Sequence, residues 1–176
     1  MLLELTRRYT EPHRHYHDIR HIAQMLAWGS TLQLDEAQTF AIWFHDAVYD
    51  PRSSTNEEDS AALAERFLQR DAHGDNLINT VTRIVLDTKR HKPTIDASAV
   101  VLDLDLAFLA LPWPQFRANA DAIRREYAHL SDAEFRAGRA TMLGSLLQRP
   151  HIFTTRWGQA READARANIT RLLAEE

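Results

Sequence analysis

The sequence predicts an all-α fold, with residues 1–176 forming a single domain, one compact helical bundle. Three observations carry that expectation. The five Gly and six Pro gather at a few break points. The stretches between the breaks repeat apolar residues at i, i+3, i+4 and i+7. No run of four or more alternating residues reads as a strand. A chain of this length also buries roughly 70% of its unfolded surface, enough for one core without staples.

The breaks fall at Glu11-Pro12, Asp50 to Ser54, His73-Gly74, His91-Lys92-Pro93, Leu111 to Pro114, Arg149-Pro150 and Gly158. They bound segments of ordinary helix length. After the first break, His17, His21, Met25 and Trp28 share one helical face pointing into the protein. Residues 40–49 are apolar nearly all round, the pattern of a helix in mid-core. Thr55 with Glu58 reads as a capping box, and Leu63, Ala64, Phe67 and Leu68 form the stripe behind it. Leu77, Val81, Ile84 and Thr88 make the next face, which His91 extends. Residues 99–109 are the second segment apolar on all sides. Past the prolines come Phe116, Ala120, Ile123 and Tyr127. Ser131 with Glu134 is a second capping box, ahead of Phe135, Met142, Leu143 and Leu146.

Composition narrows the function. With no Cys, disulfides, thiolate metal sites and cysteine nucleophiles are out, and a bound metal must use N and O ligands. A net charge of −4 gives no cationic surplus for phosphate backbones or anionic membranes, so neither nucleic acid nor membrane is an expected partner. The charged start and the absence of an eighteen-residue apolar run point to the cytoplasm. The Trp113 and Trp157 segments read either as core or as the contact of a homodimer.

Three carboxylates, Asp46, Asp103 and Asp105, lie inside the two apolar segments. An ionised carboxylate buried alone costs several kcal/mol, so each needs a cation, an Arg or a helix end. His45 precedes Asp46, and although helical neighbours diverge by about 100°, both reach an ion lying between them. Of nine His, four crowd into residues 12–22: His13, His15, His17 and His21. His21 beside Ile22 is the ligand candidate, and His17, one turn earlier, belongs at the pocket mouth. His13 and His15 read as solvated.

The order His21, His45-Asp46, Asp105 resembles the HD superfamily of metal-dependent phosphohydrolases. Tyr16-His17-Asp18-Ile19-Arg20-His21 is similar to the Tyr-His-Asn-x-x-His segment of cyclic nucleotide phosphodiesterases. Arg14-x-Tyr16-His17, Phe44 to Tyr49, Asn56-Glu57-Glu58-x-Ser60-Ala61, Asp103 to Leu106, Arg124-x-Glu126-Tyr127 and Glu162-x-x-Ala165-Arg166-x-Asn168 resemble a bacterial group of small predicted HD phosphohydrolases. The resemblance implies an HD-type helical bundle and runs through most of the chain.

It further implies that His21, His45, Asp46 and Asp105 bind one divalent ion. Two imidazoles and two carboxylates suit Mn, Fe, Ni, Co or Zn better than Mg. Asp103 and Asp105 diverge by about 200° on a helix, so one faces the ion. The choice is open, with Asp105 favoured although Leu104 replaces the small residue the superfamily places there. Asp103 then bonds a neighbouring helix or supports a ligand. The implied activity is hydrolysis of a small phosphorylated substrate, a nucleotide for example, by metal-activated water. In it Asp46 orients the water and His17 protonates the leaving oxygen. Arg14, Arg20, Lys89 and Lys92 are phosphate-clamp candidates or solvated helix faces. Glu57 faces the metal or simply favours a helix N-terminus, and His91 contacts the pocket or caps a helix. Two other classes fit the same residues: a non-catalytic metal and nucleotide sensor, and a di-iron oxygenase drawing on His17 and His91.

Overall fold

The computed structural model describes residues 2–175, and among them every regular element is helical. In chain order these are α1 (Leu2–Arg8), α2 (Ile19–Gly29), α3 (Glu36–Phe44), α4 (Asn56–Arg70), α5 (Asp75–Thr88), α6 (Ser98–Leu106), a 3₁₀ turn (Ala107–Ala110), α7 (Trp113–Glu126), α8 (Asp132–Leu147), α9 (Arg156–Gln159) and α10 (Glu162–Ala174). No single helix among them is long and apolar enough to cross a membrane.

Two apolar clusters hold the helices together. The first joins α1 to α6 around Leu5, Ile22, Ile42, Phe44, Leu68 and Leu104. The second joins the 3₁₀ turn to α7, α8 and α10 around Leu109, Phe116, Leu146, Phe153 and Ile169. Helix α6 and the turn after it run from one cluster into the other, which is why residues 98–110 are apolar on every side. That segment is not one helix: it tightens to 3₁₀ at Ala107, and Pro112 stops it.

Local chemistry sets the helix ends. Ser131 and Glu134 form the expected reciprocal box at α8, and Asp35 with Gln38 forms another at α3. Thr55 departs from expectation. Helix α4 does begin after it, but its hydroxyl bonds the Asp59 carboxylate and makes no cap bond to the backbone. Met142 also departs, standing half exposed. Trp113 packs on Phe116 and beneath the Arg171 guanidinium, and Trp157 on Trp28 and beneath Arg161.

Two corrections concern the segments that carry chemistry. Residues 40–49 are not a continuous helix: α3 stops at Phe44, and His45 is its C-cap. Arg14 serves the carbonyls beyond the stop. Its buried guanidinium donates to those of Asp46 and Ala47, and Pro51 has no N–H to offer Ala47 in a longer helix. Likewise His17 and His21 do not share a helical face. Helix α2 starts at Ile19, capped by the Asp18 carboxylate on the Arg20 N–H, so His17 lies in the turn before it.

Candidate metal centre

The site sits where the two clusters meet. His21 comes from the first turn of α2, His45 from the end of α3, Asp46 from the residue after it, and Asp105 from the last turn of α6. Both imidazoles are buried. His21 Nε2 lies 3.2 Å from His45 Nε2 and 3.1 Å from Asp105 Oδ1. His45 Nε2 lies 3.1 Å from Asp46 Oδ2 and 3.7 Å from Asp105 Oδ1. His21, His45 and Asp46 form a group able to hold a metal ion.

The His21–His45, His21–Asp105 and His45–Asp46 spacings fit the chemistry of the donor set, and His45–Asp105 is wider. Two donors each about 2.1 Å from one cation and about 90–110° apart stand roughly 3.0–3.4 Å from each other. His45 Nδ1–H donates to the Ile42 carbonyl at 2.9 Å, which leaves the Nε2 lone pair of the neutral ring aimed at the cluster. Electrostatics add to this. Burial opposes charge on His45, yet Asp46 beside it raises the imidazole pKa to about 9. Burial likewise opposes ionisation of Asp46 and Asp105. For Asp46 the neighbouring His45 and His17 prevail, and for Asp105 His21 and His91 do, so both carboxyls stay below the ordinary range. The protein thus keeps two carboxylates ionised under cover, and their positive partner is either a proton on an imidazole or a cation.

His17 stands beside this cluster, its ring 6.2 Å from that of His21. What puts it there is Glu126, at the end of α7. One carboxylate oxygen accepts the backbone N–H groups of His15, Tyr16 and His17 at 2.7, 2.7 and 2.9 Å. The other meets His17 Nδ1 at 2.6 Å and accepts from the Tyr49 hydroxyl at 2.8 Å. Although burial works against charge on the ring, Asp46 and Glu126 raise the His17 pKa above its ordinary value.

The remaining candidates divide by location. His91 lies past the end of α5 in a left-handed turn, φ 44°, and its Nε2 is 2.9 Å from Asp105 Oδ2. Arg149 donates to the carbonyls of Arg90 and His91 and so holds that turn. Asp103 points away from the cluster, accepting from the Thr154 and Thr155 N–H groups and the Thr155 hydroxyl. Gly158 permits this, since a Cβ there would collide with that carboxylate and with Phe153. Glu57 borders the cavity above the site, 3.7 Å from Lys89 Nζ, and Lys89 is bound to Glu58 and the Ser54 carbonyl. Arg14 donates to main-chain carbonyls, including that of His17, and to Glu11. Arg20 is exposed against Asp18, and Lys92 is exposed outside the cavity lining. His13 is exposed yet bonds the Tyr49 carbonyl.

Two residues that sequence reasoning gave no role complete the site. Glu126 is one; its place in the polar part of an amphipathic helix hid it. Tyr16 is the other. Its hydroxyl is buried at the cavity edge and has no hydrogen-bond partner among the described residues. Burial, with Asp105 and Asp46 nearby, keeps it protonated, so it is a donor waiting for an acceptor. Searches of protein-family models, curated proteins and solved structures find no match to this chain.

Proposed function

We propose that the chain is a metal-dependent phosphohydrolase of the HD type that cleaves a small phosphate ester. The observation that carries this reading is the convergence of His21, His45 and Asp46 into one group able to hold an ion, with Asp105 Oδ1 3.1 Å from His21 and 3.7 Å from His45, beside His17. These four residues would hold the cation, and Mn, Fe, Ni, Co or Zn suits their N and O atoms. Such a cation lowers the pKa of water and draws charge from a phosphoryl oxygen.

The chain's own residues supply the rest. Asp46 orients the attacking water. Tyr16 donates its unpartnered hydroxyl to a phosphoryl oxygen. Water adds to phosphorus as the ester P–O bond breaks, and the leaving oxygen takes a proton from His17 Nε2, giving an alcohol and inorganic phosphate. The second water proton restores His17. Glu126 fixes the ring through Nδ1, leaving Nε2 as the working nitrogen.

The test is elemental analysis of the purified protein together with phosphate release from simple esters after loading with Mn or Ni. About one bound ion per chain and metal-dependent release are expected. Absence of metal even after loading would defeat the proposal.

A further inference from the structure

The cavity above the cluster is larger than a phosphate needs. It measures about 600 Å³ and extends from His17, Asp46, His91 and Asp105 into the second apolar cluster, between α7, α8 and the end of α10. Its floor is charged. Its far part is walled by Phe108, Phe116, Ile123, Leu143 and Leu146.

The unpartnered Tyr16 hydroxyl borders the cavity at the cluster end, where the phosphate would sit, and Tyr127 and Arg139, the latter over the Phe135 ring, also line it. Most other polar groups along its border are already committed. Asn56 bonds the Asp50 backbone in both directions. Thr88 donates to the Val85 carbonyl, Ser53 bonds Thr55, and Glu134 serves the α8 cap. Lys89 is held by Glu58. A sugar or nucleobase moved from water into such a chamber leaves its own polar atoms unmatched, whereas a hydrocarbon chain loses nothing. The volume lies within the ordinary range for a ligand cavity.

We infer that the substrate is the phosphate monoester of an aliphatic alcohol, with its phosphate at the His–Asp cluster and its hydrocarbon chain along the Phe116, Ile123 and Leu146 wall. The phosphate half rests on the phosphohydrolase reading above. The apolar half rests on the cavity alone.

Calorimetric titration of the Mn-loaded protein with alkylphosphonates from methyl to octyl, below micelle-forming concentrations, tests the two halves separately. Affinity is expected to rise about three- to fourfold per methylene and then level off. Ile123→Trp, which adds bulk to the wall, should shorten the chain at which it levels. The wild-type series needs no variant to be decisive. Flat affinity across the series, or tighter binding of a nucleoside monophosphate than of octylphosphonate, overturns the inference. Phosphate release from octyl phosphate is measured in parallel. Affinity that climbs with chain length but no release leaves the apolar-chain assignment standing and removes the hydrolase reading. Release at equal kcat/KM for every chain length, with flat affinity, does the reverse.

Discussion

The carboxylate of Glu126 and the imidazole of His17, 109 residues apart in the chain, meet at 2.6 Å. The same carboxylate holds three consecutive backbone N–H groups of the turn that carries His17. One side chain therefore fixes both where the ring stands and how readily it is protonated. Glu126→Gln should keep an acceptor for the backbone but withdraw the charge. The expected result is a rate loss of at least about tenfold, with the alkaline limb of the pH–rate profile moved to lower pH because His17 loses its proton sooner. Glu126→Ala should in addition cost about 3 kcal/mol of stability by leaving buried N–H groups unpaired. A full-rate Glu126→Gln enzyme with an unmoved profile would show that the pair is only structural.

The proposed acid role of His17 has its own signature. His17→Ala should retain the cation and lose about 10²–10⁴ in rate on an alkyl phosphate. An aryl phosphate such as p-nitrophenyl phosphate, whose leaving group scarcely needs a proton, should lose less. Equal losses on both esters would assign His17 to binding.

The pair also gives stability a pH window, measurable by denaturation of chelator-treated protein. Glu126 titrates below its ordinary 4.5, at about 2, because the His17 and backbone hydrogen bonds outweigh burial. Its contribution is therefore present above pH 4.5 and fades as pH falls towards 2. His17 is shifted upward from 6.5, so its contribution is full below 6.5 and fades as pH rises through the raised value. Wild type should exceed Glu126→Gln most between these limits. A constant difference from pH 2 to 9 would contradict the pairing.

The two aspartates of α6 should respond differently. Asp105→Asn should abolish cation binding, read by elemental analysis. Asp103→Asn should keep the cation and lower stability by about 2 kcal/mol, roughly 4–8 °C in Tm, because Asp103 accepts from Thr154 and Thr155 and reaches no cluster atom. The opposite ranking would reassign the ligand.

Cation binding should itself raise Tm, since a ligand held only by the folded state at about 100 times its Kd adds about 2.7 kcal/mol. Mn or Ni should therefore stabilise the wild type, while His45→Ala should show no shift. An equal shift in both proteins would place the ion elsewhere.

Periodicity and break residues announce helices because both act within a few residues, and α4, α5, α7 and α8 lie close to where the sequence reads them. The site was less legible, for a reason its residues make plain. His17 and His21 stand together, but the helical spacing that suggests this does not cause it; Glu126 does, from across the chain. His45 and Asp46 address one point where the helix ends, with Arg14 holding the carbonyls of Asp46 and Ala47 beyond it. Such long-range bonds leave no local period. Glu126 did stand within one motif of the resemblance, Arg124-x-Glu126-Tyr127, but no role came with it.

With an ion bound at the cluster as proposed, its seam position would make ion capture and folding parts of one equilibrium. His21, His45 and Asp46 belong to elements of the N-terminal cluster, while Asp105 and its partner His91 are fixed by contacts that reach the C-terminal helices: the 3₁₀ turn packs in the second cluster, and Arg149 holds the His91 turn. An ion held by all four proposed donors would work as a clasp between the two halves. Its binding energy is at the same time docking energy, so loosening α8 or α10 should weaken metal retention from a distance. A nascent chain that has emerged only through α5 has three of the donors and lacks the fourth.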